Sequence, residues 1–245
     1  MTWPWVTCFN ALLLGATVAL CPAVSNAATV TGEVRLLESK DSAVKKKGDF
    51  SSVAVWLIPL GESAVHGVHK HVQMLQKDKK FVPHVLPIET GTTVDFPNLD
   101  PIFHNAFSNF NGQIFDVALY PPGTSRKVVF ERPGIVRVFC NIHPSMSAII
   151  VVVNSNAFAT TDPRGGYVIP NVRPGRYELH VFHERTTPET MAKLTRDVTV
   201  SAESLHVDPI EISEVGYLPV AHKNKYGLDY PANSDDTGAY SLPIK

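Results

Sequence analysis

The sequence predicts an all-β protein, on three observations. Short runs rich in Val, Ile, Phe and Thr recur along the chain, and turn signals separate them at regular intervals. No long stretch carries an apolar period of about 3.6 residues, the mark of a core-facing helix. Thr29–Leu36 and Ser52–Ile58 open the series. Val85–Ile88 and Thr92–Phe96 flank Gly91, which frees the backbone for a tight reversal. Arg126–Phe130 follows Pro121-Pro-Gly123, and Ile135–Phe139 follows Pro133-Gly134. Ala148–Val153 is apolar throughout. Tyr167–Ile169 and Tyr177–Phe182 follow Pro163-Arg-Gly-Gly166 and Pro174-Gly175, and Arg196–Val200 and His206–Ile212 complete the set. Lys45-Lys-Lys47 and Lys77–Lys80 read as solvated loop charges, and the chain from Gly216 onward reads as an irregular tail.

Residues 1–32 contain no charge, and Ala11–Leu20 is a compact apolar run ending near Pro22 and Ser25-Asn-Ala27. That small-x-small pattern suits cleavage after Ala27 or Ala28, so residues 1–27 read as a signal peptide and the product as periplasmic. The n-region lacks Lys and Arg; polar and Pro interruptions leave the run short of a membrane span, so no stable membrane insertion is expected after cleavage. With 22 basic against 23 acidic residues there is no basic field to attract nucleic acid.

Of the three cysteines, Cys8 and Cys21 lie in the leader, which leaves Cys140 as the one thiol of the exported chain. It cannot close an internal disulfide, so it is either buried and inert or chemically employed. Cys140 opens the stretch Cys140-Asn-Ile-His143-Pro-Ser-Met146. Thiolate, imidazole and thioether together suit copper cycling between Cu(I) and Cu(II). Strand alternation puts Val136, Val138 and Cys140 on one face, with the thiol at the strand end. A second histidine must come from another loop, and His104-Asn105 follows the strand ending in Phe96. A structural cysteine, a catalytic thiol with His143 as base, and zinc are the competing readings. A thioether suits zinc poorly, and no orienting acid is evident for the catalytic pair. His66-x-x-His69-x-His71 is an exposed loop run or a second metal site.

The segment Phe81-Val-Pro…Gly91-Thr-Thr-Val-Asp-Phe-Pro-Asn98…His104-Asn…Pro133-Gly134…Cys140-x-x-His143-x-x-Met146 resembles a cupredoxin, and its ligand loop is similar to that of the amicyanins. The resemblance covers roughly residues 66–154. It implies one type 1 copper ion, with His104, Cys140 and His143 as strong ligands and Met146 as the weak axial one. It also implies that the Asn105 backbone N–H donates to the Cys140 sulfur, and that His143 lies near the surface as the electron port. Amicyanins carry Pro where this chain has Ile142, whose extra N–H can donate a second bond to the sulfur.

Thr160–Val181 resembles the later strands of carboxypeptidase regulatory-like domains, a transthyretin-like sandwich, and Thr31–Leu36 with Val53–Ile58 look like its opening strands. The expected architecture is a cupredoxin Greek-key β-sandwich plus a second small β-sandwich. Residues 28–64 are assigned to strands of the regulatory-like sandwich, 65–155 to the cupredoxin domain, 156–213 to the sandwich proper and 214–245 to the tail. Insertion of the copper domain into the sandwich competes with a tandem arrangement. His180, His183 and Glu184 read as strand and edge residues rather than ligands. The expected function is a periplasmic electron carrier, not an enzyme, acting between redox partner proteins. Amicyanin-like proteins suggest methylamine utilization, with an amine dehydrogenase or a cytochrome c as partner. Copper storage or delivery, and a structural sandwich with a degenerate site, are the alternatives.

Overall fold

The computed structural model describes Met1 and residues 27–61, 70–109, 112–218 and 221–231. Nearly all of the expected leader, with Cys8 and Cys21, lies outside the described residues, as do His66 and His69. No helix among the described residues is long and apolar enough to cross a membrane. The all-β class stands.

The chain opens with strand β1 (Ala28–Leu37), helix α1 (Ser42–Lys47) and β2 (Ala54–Pro59). It continues through β3 (His71–Gln73), β4 (Leu75–Lys77), β5 (Lys80–Val82), β6 (Val85–Glu89) and β7 (Thr92–Pro97). Next come β8 (Phe107–Ser108), β9 (Phe115–Asp116), β10 (Ser125–Phe130), β11 (Gly134–Phe139) and β12 (Ser147–Val153). The last part holds β13 (Phe158–Thr160), β14 (Gly166–Val172), β15 (Gly175–Phe182), α2 (Pro188–Leu194), β16 (Arg196–Val200), β17 (Leu205–His206) and β18 (Ile210–Ser213).

Two sandwiches result. In one, β1 pairs with β14, β17 and β18, while β2 sits between β13 and β15 and β16 closes the edge. The facing sides of these sheets enclose Val30, Val34, Val55, Leu57, Ile169, Leu179 and Ile212. The chain thus leaves this core after β2 and returns to it at β13. In the other sandwich, a sheet ordered β10-β7-β3 faces one ordered β6-β12-β11-β8-β9. Between them lie Val94, Phe96, Phe130, Val136, Val138, Ile150 and Val152.

Strand β12 shows why the run Ala148–Val153 is apolar at every position. Ala148, Ile150 and Val152 face the second core, while Ile149, Val151 and Val153 pack with Ala54 of β2 and Phe182 of β15. Both faces are covered, so the alternation of a half-exposed strand has no purpose here. β11 uses the same geometry, sending Val136 and Val138 inward and Ile135 toward the other sandwich.

Several expectations need correction. Lys45–Lys47 are not loop charges but the last turn of α1, whose first amides bond the Asp41 carboxylate and whose Gly48 C-cap is left-handed at φ 61°. α2 begins on Thr187 with Pro188 in its first turn. Neither helix buries a residue, so neither leaves an apolar stripe to read. Lys77 and Lys80 end a hairpin, not a loop, turning through Asp78 and Lys79 at φ 55° and 53°. His206–Ile212 is two strands rather than one, because Pro209 has no N–H for the ladder.

Across the junction between the sandwiches, His84 and Arg137 meet Glu184. His84 Nε2 lies 2.6 Å and Arg137 3.2 Å from the Glu184 carboxylate, and His84 Nδ1 lies 3.1 Å from the Ser147 carbonyl. Both partners of the imidazole only accept, so both ring nitrogens donate and the ring is the imidazolium. The Glu184 bond raises the His84 pKa against the opposing effect of burial. Burial raises the Glu184 carboxyl, but His84 and Arg137 outweigh it and hold it below its ordinary value. A raised histidine stabilises fully below its unfolded value of 6.5 and loses that contribution as pH climbs through its folded value. A lowered carboxylate contributes above 4.5 and loses it as pH falls through its folded value. The clamp is therefore strongest between pH 4.5 and 6.5. Thermal unfolding of wild type and His84→Ala across pH should show the largest gap in that window, shrinking on the alkaline side. A gap independent of pH would assign His84 to packing alone.

Candidate metal centre

Two loops at one pole of the second sandwich carry the donors. Cys140 leaves the end of β11 in phase with Val136 and Val138, so its thiol enters the core, fully buried. The loop then folds back on itself. The Cys140 N–H donates to the Met146 carbonyl at 3.2 Å, and the Met146 N–H donates to the His143 carbonyl at 3.1 Å. His104 lies on the long connection between β7 and β8, held by backbone bonds in both directions with Tyr120.

The side chains converge. Cys140 Sγ lies 3.6 Å from His143 Nδ1 and 3.9 Å from His104 Nδ1, and the two Nδ1 atoms are 3.1 Å apart. Among the described residues this is the one group of three His, Cys, Asp or Glu able to hold a metal ion. Metal bonds of about 2.0 Å to imidazole and about 2.3 Å to thiolate span donor separations of this size. The donor set fits copper, and the three chelating atoms sit where water does not reach: His104 is 0 % and His143 2 % exposed. His143 is thus not at the surface, contrary to expectation. Met146 is also fully buried and shares the apolar cluster of Cys140.

The protonation of His104 is settled by its outer partner. Its Nε2 lies 2.7 Å from Asp100 Oδ2. Burial raises the Asp100 carboxyl, but bonds from the Lys79 amide, His104 and the Asp78 amide outweigh it and keep the group ionised below its ordinary value. An ionised carboxylate only accepts, so Nε2 carries the proton and Nδ1 presents its lone pair. Burial holds the His104 pKa below the usual imidazole range, against the opposing pull of Asp100. A neutral ring is the form that binds a metal.

Asp100 in turn depends on the β4–β5 hairpin. Its two oxygens take the Asp78 amide at 2.6 Å and the Lys79 amide at 2.9 Å. Asn98 shapes the approach, accepting from the Asp100 amide at 3.1 Å and donating to the Ile102 carbonyl at 2.8 Å. Asn105 ties the two ligand loops through its side chain: Oδ1 accepts from the Asn141 amide at 2.5 Å, while Nδ2 donates to Asp116 at 3.2 Å. Gln76, fully buried, donates to the Asn105 carbonyl at 3.1 Å. Ile142 is 9 % exposed and packs in the apolar cluster.

Sequence reasoning missed Asp100, Asn98, Gln76 and Asp116. Asp100 carried a signal, since an acid four residues before a ligand histidine can fold back onto it. Gln76 carried none, being distant in sequence and polar in a short edge strand. His71 stands apart from the centre, 3.5 Å from Asp95 at the surface. His180 stacks on Trp56 and bonds Glu178, His183 pairs with Glu214, and Glu184 belongs to the junction clamp.

No protein-family model matches the chain, and no curated protein matches it either. Among solved structures, a purple cupredoxin from Nitrosopumilus maritimus is 27 % identical, covering 33 % of this chain and 98 % of its own, with a TM-score of 0.30. An amicyanin from Paracoccus versutus is 19 % identical over 40 % of this chain and 91 % of its own, TM-score 0.32. A copper-containing nitrite reductase from Thermus scotoductus SA-01 is 24 % identical over 49 % of this chain and 28 % of its own, TM-score 0.33. Scores this low leave the function to the geometry of the site itself.

Asp100→Ala should free the His104 imidazole and orphan two hairpin amides. Metal affinity, measured by competition with a chelator, is expected to fall by about 10–100-fold. Thermal stability of the metal-free chain is expected to fall by about 1–3 kcal/mol. Unchanged affinity would show that His104 is held by packing rather than by the carboxylate.

Proposed function

We propose that this protein is a periplasmic blue copper protein carrying single electrons between redox partner proteins through one type 1 site. The observation that carries the reading is the convergence of two imidazole Nδ1 atoms and one thiol sulfur, each buried, within 4.8 Å. His104, Cys140 and His143 would hold the ion, with Met146 as a long, soft axial contact. Copper bound there supplies a one-electron couple between Cu(I) and Cu(II).

The chain's own residues supply the rest. Asp100 fixes the His104 ring and its tautomer, which limits how far that ligand can turn when charge changes. Asn105 joins the two ligand loops so that they move as one. In this reading the Asn105 and Ile142 backbone amides donate to the sulfur, drawing charge from it and favouring the reduced state. Cys140 and Met146 belong to the same buried apolar cluster as Val138, Phe96 and Ile150, an environment that excludes water from the thiol. A buried, closed loop supports retention of the metal rather than its delivery, and a carrier is the reading it favours.

We assign residues 28–64 and 156–213 to one regulatory-like sandwich, with the copper domain, 65–155, inserted between them. The pairing of β1 with β14, β17 and β18, and of β2 with β13 and β15, supports that division. This sandwich serves as scaffold or docking module. The periplasmic assignment rests on the leader-like composition of residues 1–27, and an amine dehydrogenase or a cytochrome c is the class of partner proposed.

The Cu(II)-loaded chain should show intense visible thiolate-to-copper absorption that Cys140→Ser abolishes, while His104→Ala and His143→Ala weaken copper binding or admit an added ligand. Weak absorption from a fully loaded wild type would sink the assignment. Met146→Gln should keep copper but lower the reduction potential, because a harder oxygen donor favours Cu(II). An unchanged potential and spectrum would make Met146 a packing residue.

A further inference from the structure

The tail expected to be irregular has neither helix nor strand over residues 221–231, yet it makes five contacts at the pole of the metal centre, three of them with the ligand loop. The His222 ring stacks on Phe139, the residue before Cys140, with centroids 4.0 Å apart and planes 21° apart. Its Nε2 lies 2.8 Å from the Pro144 carbonyl. That oxygen only accepts, so Nε2 carries the proton and donates. The Tyr230 hydroxyl donates to the Cys140 carbonyl at 2.9 Å, with its ring edge-on to His222 at 5.2 Å. The Lys225 amide donates to Asn141 Oδ1 at 3.0 Å, and its ammonium reaches Asp116 at 2.7 Å.

These partners are not scattered over a surface. Cys140, Asn141 and Pro144 all belong to the loop that carries the thiol and His143. Asp116 is the same carboxylate that bonds Asn105, and Asn105 bonds the Asn141 amide. Lys225 therefore closes a ring of contacts around the tie between the two ligand loops. The other side of the segment faces solvent, with Tyr226 69 % and Leu228 63 % exposed. The inner, half-buried side supplies the donors: His222 and Tyr230 to loop carbonyls, Lys225 to the Asn141 and Asp116 side chains.

We propose that residues 221–231 are a strap that completes the metal centre, with His222 and Tyr230 as positioning residues for the Cys140–Met146 loop. Peptide carbonyls of a ligand loop set the direction of the side chains between them. Holding the Cys140 and Pro144 carbonyls fixes the peptide planes on either side of His143 and leaves that ring 2 % exposed. Without the two donors those carbonyls turn toward water, the loop opens, and the thiol becomes reachable. The placement of the strap does not depend on which metal is bound; only its effect on potential rests on the copper reading.

The test uses the full-length chain with Cys8 and Cys21 replaced by Ser, carrying His222→Ala, Tyr230→Phe or both, and Leu228→Ala as an exposed-face control. In the metal-free protein, the rate at which Cys140 reacts with an aromatic disulfide reagent reports loop opening. The double variant should react about tenfold faster or more, Tyr230→Phe should show part of the gain although its ring remains, and Leu228→Ala should match the parent chain. Copper-loaded double variant should keep its metal but show a shifted absorption band and a lower potential, as water nears the site. A double variant with wild-type thiol reactivity overturns the strap. A wild type that never develops thiolate-to-copper absorption overturns the copper reading instead, and leaves the thiol rates to decide the strap.

Discussion

A thiol and two imidazoles brought within 4 Å of one another in the interior must be held there by something other than their own attraction. Buried polar groups are costly unless each has a partner, and facing lone pairs repel. The hydrogen bonds that converge on the two ligand loops meet that constraint. Asp100 takes the outer proton of His104 and is itself held by the β4–β5 turn. Asn105 bridges to Asn141, and Gln76 anchors the Asn105 carbonyl. Each member of this network fixes the next, so the donors are arranged before any ion arrives. Such preorganisation limits rearrangement between two charge states, which a carrier of single electrons requires.

The sandwich behind the site gives that network a rigid base. β11 enters the core with strict alternation and delivers Cys140 at its end, while β12 returns from the loop as a strand buried on both faces. β12 is shared: one face completes the core beneath the donors, the other seals the contact with β2 and β15. The junction clamp sits on the same elements, since His84 precedes β6 and bonds Ser147 at the start of β12, while Arg137 lies on β11. The second sandwich and the metal loop are therefore linked through one pair of strands. The strap supplies a second link from the far end of the chain, arriving after β18.

Much of this was legible in the residues. Runs such as Ala148–Val153 and Thr92–Phe96 read as strands because backbone geometry forces side chains to alternate or, where both faces are covered, to be apolar throughout. Cys140, His143 and Met146 read as a site because three soft or borderline donors at a spacing of three residues are chemically distinctive. The two helices escaped notice because neither buries a side chain, so only their caps at Asp41 and Thr187 marked them. The β4–β5 hairpin was hidden by its lysines, whose charges point to solvent while the backbone between them turns to serve Asp100.

The chain by itself determined its strand content and, in Cys140 and His143, the loop that carries two of the three converging side chains, because periodicity and donor chemistry are local properties. Tertiary structure decided which polar groups stand behind the donors. Gln76, Asp116 and Lys225 are ordinary residues in the sequence, and their roles follow from which loops the fold brings to one pole. It also decided the burial of His143, whose neighbour Pro144 bonds His222, and the use of Tyr230. A hydrogen bond between residues ninety positions apart leaves no periodic trace, since its partners are chosen by the path of the whole chain rather than by their neighbours.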